Sequence, residues 1–259
     1  CKNVTLALSI ARRGVLNVVG TGPGGLEHIT PDAIRAIRES DVVVGFKSYL
    51  DLIKPLLACK EVVSSAMTEE VKRVRRAVEL AMDGRKVALI SGGDPGVYAM
   101  AGLAYEVALA MGDQVDVVIV PGISALNACA ARLGAPLMHD FSAISLSDRL
   151  TPWDVIASRL EAAASADFVI VLYNPKSKGR QTLIVRAREI ILKHRAGETP
   201  VGIVTSAMRE DEEVVVTDLD QMLEHEIGMR STVIIGNSKS FRRRDSIITP
   251  RGYEEKYEF

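Results

Sequence analysis

Three glycine-rich segments, Gly20-Thr-Gly-Pro-Gly-Gly25, Ser91-Gly-Gly-Asp-Pro-Gly96 and Pro121-Gly-Ile-Ser124, each close a short apolar run. The runs before them, Leu16–Val19, Val87–Ile90 and Val115–Val120, are too short for helices and rich in β-branched residues. They read as buried strands. Glycine permits close approach of backbone to backbone, or of backbone to a ligand. Strands that each end in such a turn, with helical patterns between them, call for a parallel sheet whose carboxyl edge carries the loops.

The helical patterns are explicit. Thr30-Pro31-Asp32 opens one, with Thr30 as N-cap, Pro31 in the first position and Asp32 at the positive end. Its inward face is Ala33, Ile34 and Ile37. A second strand, Asp41–Gly45, follows. Thr68–Met82 is a helix with Val71, Val74, Val78 and Leu80 inward, stopped at Gly84. Further helices run from near Val97 to Met111 and from the third glycine segment to Leu133, and Phe141–Leu146 is a fifth strand. Beyond Ser147 the texture changes. Thr151 and Pro152 open a helix to about Ala164. After it come strand Phe168–Tyr173, helix Thr182–His194, strands Val201–Thr205 and Val214–Thr217, short helix Leu219–Glu224 and strand Thr232–Ile235. Val214 follows its predecessor closely, which makes this half a mixed sheet. The expected organisation is an α/β domain over 14–147, a second over 148–240 and a charged tail over 241–259.

Composition excludes several classes. The net charge of −1, from 32 Lys+Arg against 33 Asp+Glu, provides no global field for nucleic acid or an anionic membrane. The longest uncharged stretch, Val117–Ala131, is broken by Pro121, Gly122 and Asn127 and is too short to span a bilayer. Cys1, Cys59 and Cys129 form no CxxC, and the odd count closes no disulfide framework. They read as reduced, mostly buried thiols in the cytoplasm. His28, His139, His194 and His225 make no ligand pair, so no metal site is expected. Cys1–Arg13 has an apolar middle but no cleavage signal, and reads as part of a longer chain rather than a signal peptide.

The first glycine segment satisfies GxGxxG after a strand, the fingerprint of a dinucleotide site. Against this, Pro23 removes a backbone donor, and Gly45-Phe46-Lys47 ends the second strand without an acidic residue. The second segment is more specific. Asp94 offers a carboxylate beside two glycines, where a ligand hydroxyl or amine could bond.

GTGPGG, SGGDPGVY and PGISAL, in this order and spacing, resemble the tetrapyrrole (class III) S-adenosylmethionine-dependent methyltransferases. The resemblance covers nearly all of Gly14–Ser238. Leu146-Ser-Asp-Arg-Leu-Thr-Pro-Trp153 and Tyr173-Asn-Pro-Lys-Ser-Lys-Gly179 are most similar to the branch that methylates C17 of precorrin-3B, or its cobalt-containing equivalent, with ring contraction in cobalamin biosynthesis. One departure is Gly25-Leu-Glu27, where the family usually has an acidic residue directly after the first loop. The iron–sulfur extension of some branch members is not expected here.

The resemblance implies two α/β domains with the active site in a cleft between them, a cytoplasmic homodimer, and a tetrapyrrole substrate. It implies S-adenosyl-L-methionine held by Pro23, Gly92, Gly93, Asp94, Val97, Ser124 and Ala125 from the first domain and by Tyr173, Asn174 and Ala207 from the second. Methyl transfer needs alignment more than acid–base help. Ring contraction does need proton movement, for which His139, Asp140, Asp148 and Lys176 are candidates. Substrate carboxylates need local cations. Arg149 is the leading anchor, with Lys47 and Lys178, and Lys176, Arg180 and Arg242-Arg-Arg244 are further basic groups. Two other readings stay open: a related methyltransferase acting on precorrin-4 C11 or uroporphyrinogen III, and a non-enzymatic nucleotide-binding protein.

Overall fold

The structure, a computed structural model, describes residues 13–258. The expectation for Cys1–Arg13 therefore falls almost wholly outside the described residues. Packing divides the chain into two units, the first ending at Ile123 and the second beginning at Ser124.

The first unit comprises β1 (Gly14–Gly20), α1 (Pro31–Glu39), β2 (Val42–Phe46), α2 (Lys47–Leu52), β3 (Glu61–Ser65), α3 (Glu70–Met82), β4 (Lys86–Ser91), α4 (Met100–Ala110) and β5 (Val115–Val120). Its sheet has the order β3-β2-β4-β1-β5, with every pair parallel. Helices cover both faces. Leu16, Val18, Val42, Val44, Val87 and Leu89 meet α3 and α4; Val19, Val43, Ala88 and Ile90 meet α1 and α2. The alternation of adjacent residues between two clusters is the period-two pattern of a strand buried on both sides. Thr30 caps α1 as its sequence suggests, accepting from the Ala33 N–H at 3.2 Å.

Connections from β1 and β2 leave toward β3, and those from β3 and β4 leave toward β5. Direction reverses between β1 and β4, so the crevice of this sheet opens where the first two glycine segments lie.

The second unit comprises α5 (Ala125–Leu133), β6 (Gly134–Ala135), β7 (Phe141–Ser145), α6 (Trp153–Ser165), β8 (Val169–Tyr173), α7 (Leu183–Ile191), β9 (Pro200–Thr205), β10 (Glu213–Asp218), β11 (Ser231–Ile235), β12 (Phe241–Arg243) and β13 (Ser246–Ile248). Its main sheet runs β10-β9-β11-β8-β7. Only β7 and β8 are parallel; the other pairs are antiparallel. A mixed sheet was expected. α6 and α7 pack on one face, and α5 on the other against Val169, Val171, Val204 and Ile234.

Several elements differ from the sequence reading. β7 belongs to the second sheet, pairing Phe141 with Val169 through Ser145 with Tyr173, so the expected boundary near Leu146–Arg149 lies inside the second unit. β3 and α2 escape the pattern because β3 is a short edge strand with Glu61 and Val62 exposed. Val71 is not inward: it is 56% exposed, on the solvent side of α3. α4 begins at Met100, since Val97–Ala99 form a turn over the Asp94 carbonyl. Pro152 is the N-cap of α6, one residue later than expected, and Leu219–Glu224 shrinks to a single 3-10 turn at Met222–Glu224. The charged tail holds β12 and β13, and β13 pairs with β6 around a fully buried Ile247. Cys129 is buried, and desolvation pushes its thiol pKa up to about 11; Cys59 is exposed rather than buried.

Arg195 closes the back of the second unit. It is 8% exposed, donates to the carbonyls of Ala164 at 2.6 Å and Phe168 at 3.2 Å, and pairs with Asp167 at 3.1 Å. Arg195→Met should cost about 3 kcal/mol, because it strands buried acceptors. Urea unfolding checks this; a loss below about 1 kcal/mol would show that water replaces the guanidinium.

Candidate functional site

At the carboxyl edge of the first sheet the loops are bonded to one another rather than merely adjacent. Gly22 and Gly93 exchange both backbone bonds, N–H to carbonyl, at 3.1 and 2.7 Å. Both have φ in the left-handed region, +75° and +66°, where a side chain would be strained. Thr21 is buried, and its backbone N–H and hydroxyl donate to the Ser91 carbonyl at 3.0 and 3.1 Å. The third loop is equally close: a Cβ on Gly122 would lie 2.3 Å from the Gly93 carbonyl oxygen and 2.8 Å from the Gly20 carbonyl carbon.

Asp94 fastens this arrangement. Its Oδ1 accepts from the Gly96 N–H at 2.8 Å and its Oδ2 from the Gly122 N–H at 3.1 Å. The carboxylate expected to face a ligand thus ties the second loop to the third. Tyr49 underlies the second loop: a Cβ on Gly92 would sit 2.8 Å from its ring. Tyr49 meets Phe46 edge-on, and the buried Arg73 guanidinium lies 5.7 Å from the Phe46 ring centroid. Arg73 donates to Ser65 Oγ at 2.6 Å and the Ala66 carbonyl at 2.9 Å, and desolvation lowers its pKa. Glu27 folds its carboxylate back over Gly25, where an added Cβ would be 2.5 Å away.

In the second unit the carboxyl ends of β7, β8 and β9 share one edge, because β9 is antiparallel to β11 and β11 antiparallel to β8. This edge gathers Leu146–Arg149, Tyr173–Arg180 and Ser206–Met208. Asn174 is left-handed at φ +50° and donates from Nδ2 to Ser145 Oγ at 3.0 Å; the Ser147 N–H reaches the same oxygen at 3.2 Å. The Tyr173 hydroxyl accepts from the Leu126 N–H at 2.8 Å, in the first turn of α5. Ser124 is the N-cap of that helix and accepts from the Asn127 N–H at 3.3 Å. Ser206 and Met208 are also left-handed, at φ +52° and +61°, around a buried Ala207.

The expected residues therefore fall into groups. Pro23, Gly92, Gly93, Asp94 and Val97 gather at the first sheet's edge, although Val97 precedes its helix instead of starting it. Ser124 and Ala125 belong to the second unit and join Tyr173, Asn174 and Ala207 there. Asp148, Arg149, Lys176 and Lys178 are at the second sheet's carboxyl edge. His139 is not. It precedes β7, at the opposite end of a strand that spans about 16 Å, and its Nδ1 accepts from the Asp140 N–H at 2.8 Å. It cannot join Asp148 and Lys176. Lys47 begins α2 and is exposed, paired with Asp51 at 3.3 Å. Arg149 is exposed as well, and the cation nearest Asp148 is Arg180, 3.8 Å away. Thr21, Ser145 and Tyr49 were missed. Each acts through a contact distant in sequence, and no local pattern marks it.

Three comparisons with known proteins bear on this geometry. The family model described as Tetrapyrrole (Corrin/Porphyrin) Methylases matches residues 15–223. A cobalt-factor III methyltransferase of Priestia megaterium is 55% identical over 95% of this chain, which spans only 46% of that relative's length. A probable cobalt-factor III C(17)-methyltransferase of Salmonella typhimurium is 46% identical over 92% of this chain and 99% of its own. Among solved structures, the methyltransferase CobJ matches with a TM-score of 0.87 at 34% identity, covering 92% of this chain and 100% of its own. A uroporphyrin-III C-methyltransferase from Thermus thermophilus, complexed with S-adenosylhomocysteine, matches with a TM-score of 0.66 at 25% identity, over 86% of this chain and 97% of its own. Among the described residues, no helix is long and apolar enough to cross a membrane.

Asp94→Asn tests the tie between the loops. An amide can accept one of the two backbone N–H groups but opposes the other with its own donors. The ligand-free protein should lose about 1–3 kcal/mol of stability. Thermal unfolding without any ligand reads this directly; an unchanged midpoint would show that the carboxylate does not hold the loops.

Proposed function

The chain belongs to the tetrapyrrole (corrin/porphyrin) methylases, and from that premise we propose that it methylates C17 of a precorrin-3B-type macrocycle from S-adenosyl-L-methionine, with ring contraction, in cobalamin biosynthesis. The cobalt-containing substrate is favoured by the names of the Priestia and Salmonella relatives. The observation that carries the reading is the Gly22–Gly93 backbone ladder at the reversal point of a parallel sheet. It offers a side-chain-free wall where a flat, polar cofactor can approach the backbone. The residues present fit the cofactor: the paired glycine backbones keep side chains away from the closest approaches at the carboxyl edge of the sheet, and S-adenosyl-L-methionine carries no phosphate that would call for a cation.

S-adenosyl-L-methionine supplies an electrophilic methyl group on a sulfonium. The chain's own work is alignment, which can lower such a barrier by about 7–11 kcal/mol. Pro23, Gly92, Gly93, Asp94 and Val97 are proposed to hold the cofactor from the first unit. Ser124, Ala125, Tyr173, Asn174 and Ala207 are proposed to do so from the second. For proton movement during contraction we propose Asp148 and Lys176, which share the carboxyl edge of β7 and β8. Arg149, Lys178 and Lys47 are proposed to meet substrate carboxylates. A cytoplasmic homodimer is the assembly in which we place it.

Three measurements test this. Equilibrium titration should show S-adenosylhomocysteine binding, abolished in a folded Gly93→Val protein. Unaltered affinity in that variant would remove the glycine loops from the site. A methylation assay across cobalt-factor III, metal-free precorrin-3B and uroporphyrinogen III, read by mass and absorption of the product, should favour the first. Methylation of uroporphyrinogen III alone would overturn the substrate. Arg149→Lys should raise the apparent substrate constant several-fold while leaving cofactor affinity and melting temperature alone, because lysine cannot grip a carboxylate through two parallel bonds. Unchanged substrate kinetics would remove Arg149.

A further inference from the structure

The loops after β7 and β8 carry four cations, Arg149, Lys176, Lys178 and Arg180, and one carboxylate, Asp148. The whole chain is at −1, so this edge is a local positive region on a chain with almost no net charge. Arg180 differs from Arg149 and Lys178, which are exposed. Its backbone closes a tight turn on Ser177, the two residues exchanging N–H to carbonyl bonds at 3.0 and 3.1 Å. Its side chain is 17% exposed. It folds back across the neighbouring loop, where Nη1 donates to the Leu146 carbonyl at 3.4 Å and Nε faces Asp148 Oδ1 at 3.8 Å.

Both contacts are long. A well-made guanidinium–carboxylate pair is bidentate at about 2.7–2.9 Å. The Asp148 contact lies beyond hydrogen-bond distance, and a guanidinium has more donors than these two contacts use. Arg180 is thus held in place by its turn and by Leu146, while its pairing with Asp148 is loose.

We infer that Arg180 is the inner anchor for a carboxylate of the substrate, and that Asp148 is a placeholder displaced from the guanidinium when that carboxylate arrives. The inference rests on the tetrapyrrole reading above, whose substrates carry acetate and propionate groups. The substrate carboxylate takes both parallel donors, which Asp148 does not reach. Arg149 and Lys178, which are more exposed, are left to meet other carboxylates of the same macrocycle.

The test is equilibrium binding of cobalt-factor III without S-adenosylmethionine, followed by absorption, on the wild-type protein and three variants. Melting temperature and S-adenosylhomocysteine affinity are measured alongside. Arg180→Gln should weaken cobalt-factor III binding by about tenfold or more, and Arg180→Lys by several-fold. Asp148→Asn should tighten it, because the competitor for the guanidinium is gone. The opposite signs are the signature; a purely structural pair would make both changes harmful together. Cobalt-factor III affinity unchanged in Arg180→Lys, or unchanged or weakened in Asp148→Asn, overturns the inference. These two variants decide the matter even if Arg180→Gln fails to fold. Wild-type protein that binds S-adenosylhomocysteine but no cobalt-factor III refutes the proposed substrate instead, and this inference with it.

Discussion

The reciprocal backbone pairing of Gly22 with Gly93 is the constraint on which the first unit's edge depends. Two loops from neighbouring parallel strands normally diverge, since each leads to its own helix. Here they are held as an antiparallel bridge, with Gly122 packed against the same carbonyl and Asp94 drawing the third loop in. No residue with a Cβ fits at the closest approaches. The glycines are therefore a requirement of the interlock itself, whatever ligand it meets. A wall of bare backbone follows, with N–H and carbonyl groups already fixed in direction, so little ordering remains to be done on binding.

The second unit solves a different problem. Its edge is built from side chains and left-handed residues: Asn174 on Ser145, Tyr173 on the first turn of α5, and Arg180 across Leu146. These contacts involve the loops after β7 and β8, whose sequences resemble one branch of the family. A first unit that grips through backbone can serve many substrates. A second unit that presents distinct side chains is where members of the family can differ.

Most of the first sheet was legible because β1, β2, β4 and β5 are short apolar runs with glycine at or just beyond their ends, and because α1 and α3 carry a cap at Thr30 and a stop at Gly84. The parallel arrangement and the position of the glycine loops followed. What escaped was non-local. β7 looks like a fifth strand of the series, and only its pairing with β8 assigns it to the other sheet. β3 is an edge strand with one face in water and too few apolar residues to register. His139 and Asp148 lie close in sequence but on opposite ends of β7, a separation set by strand direction. Arg180 is legible as one of several loop cations, but its burial and its reach to the Leu146 carbonyl are set by the fold of its turn.

Amide hydrogen exchange, with and without S-adenosylhomocysteine, tests the central claim most directly. The account predicts new protection at Gly20–Gly25, Ser91–Val97 and the Pro121–Ala125 segment in the first half of the chain, with unchanged exchange in β3 and the outer face of α3. Protection elsewhere with these loops unaffected, or none at saturating ligand, would contradict it.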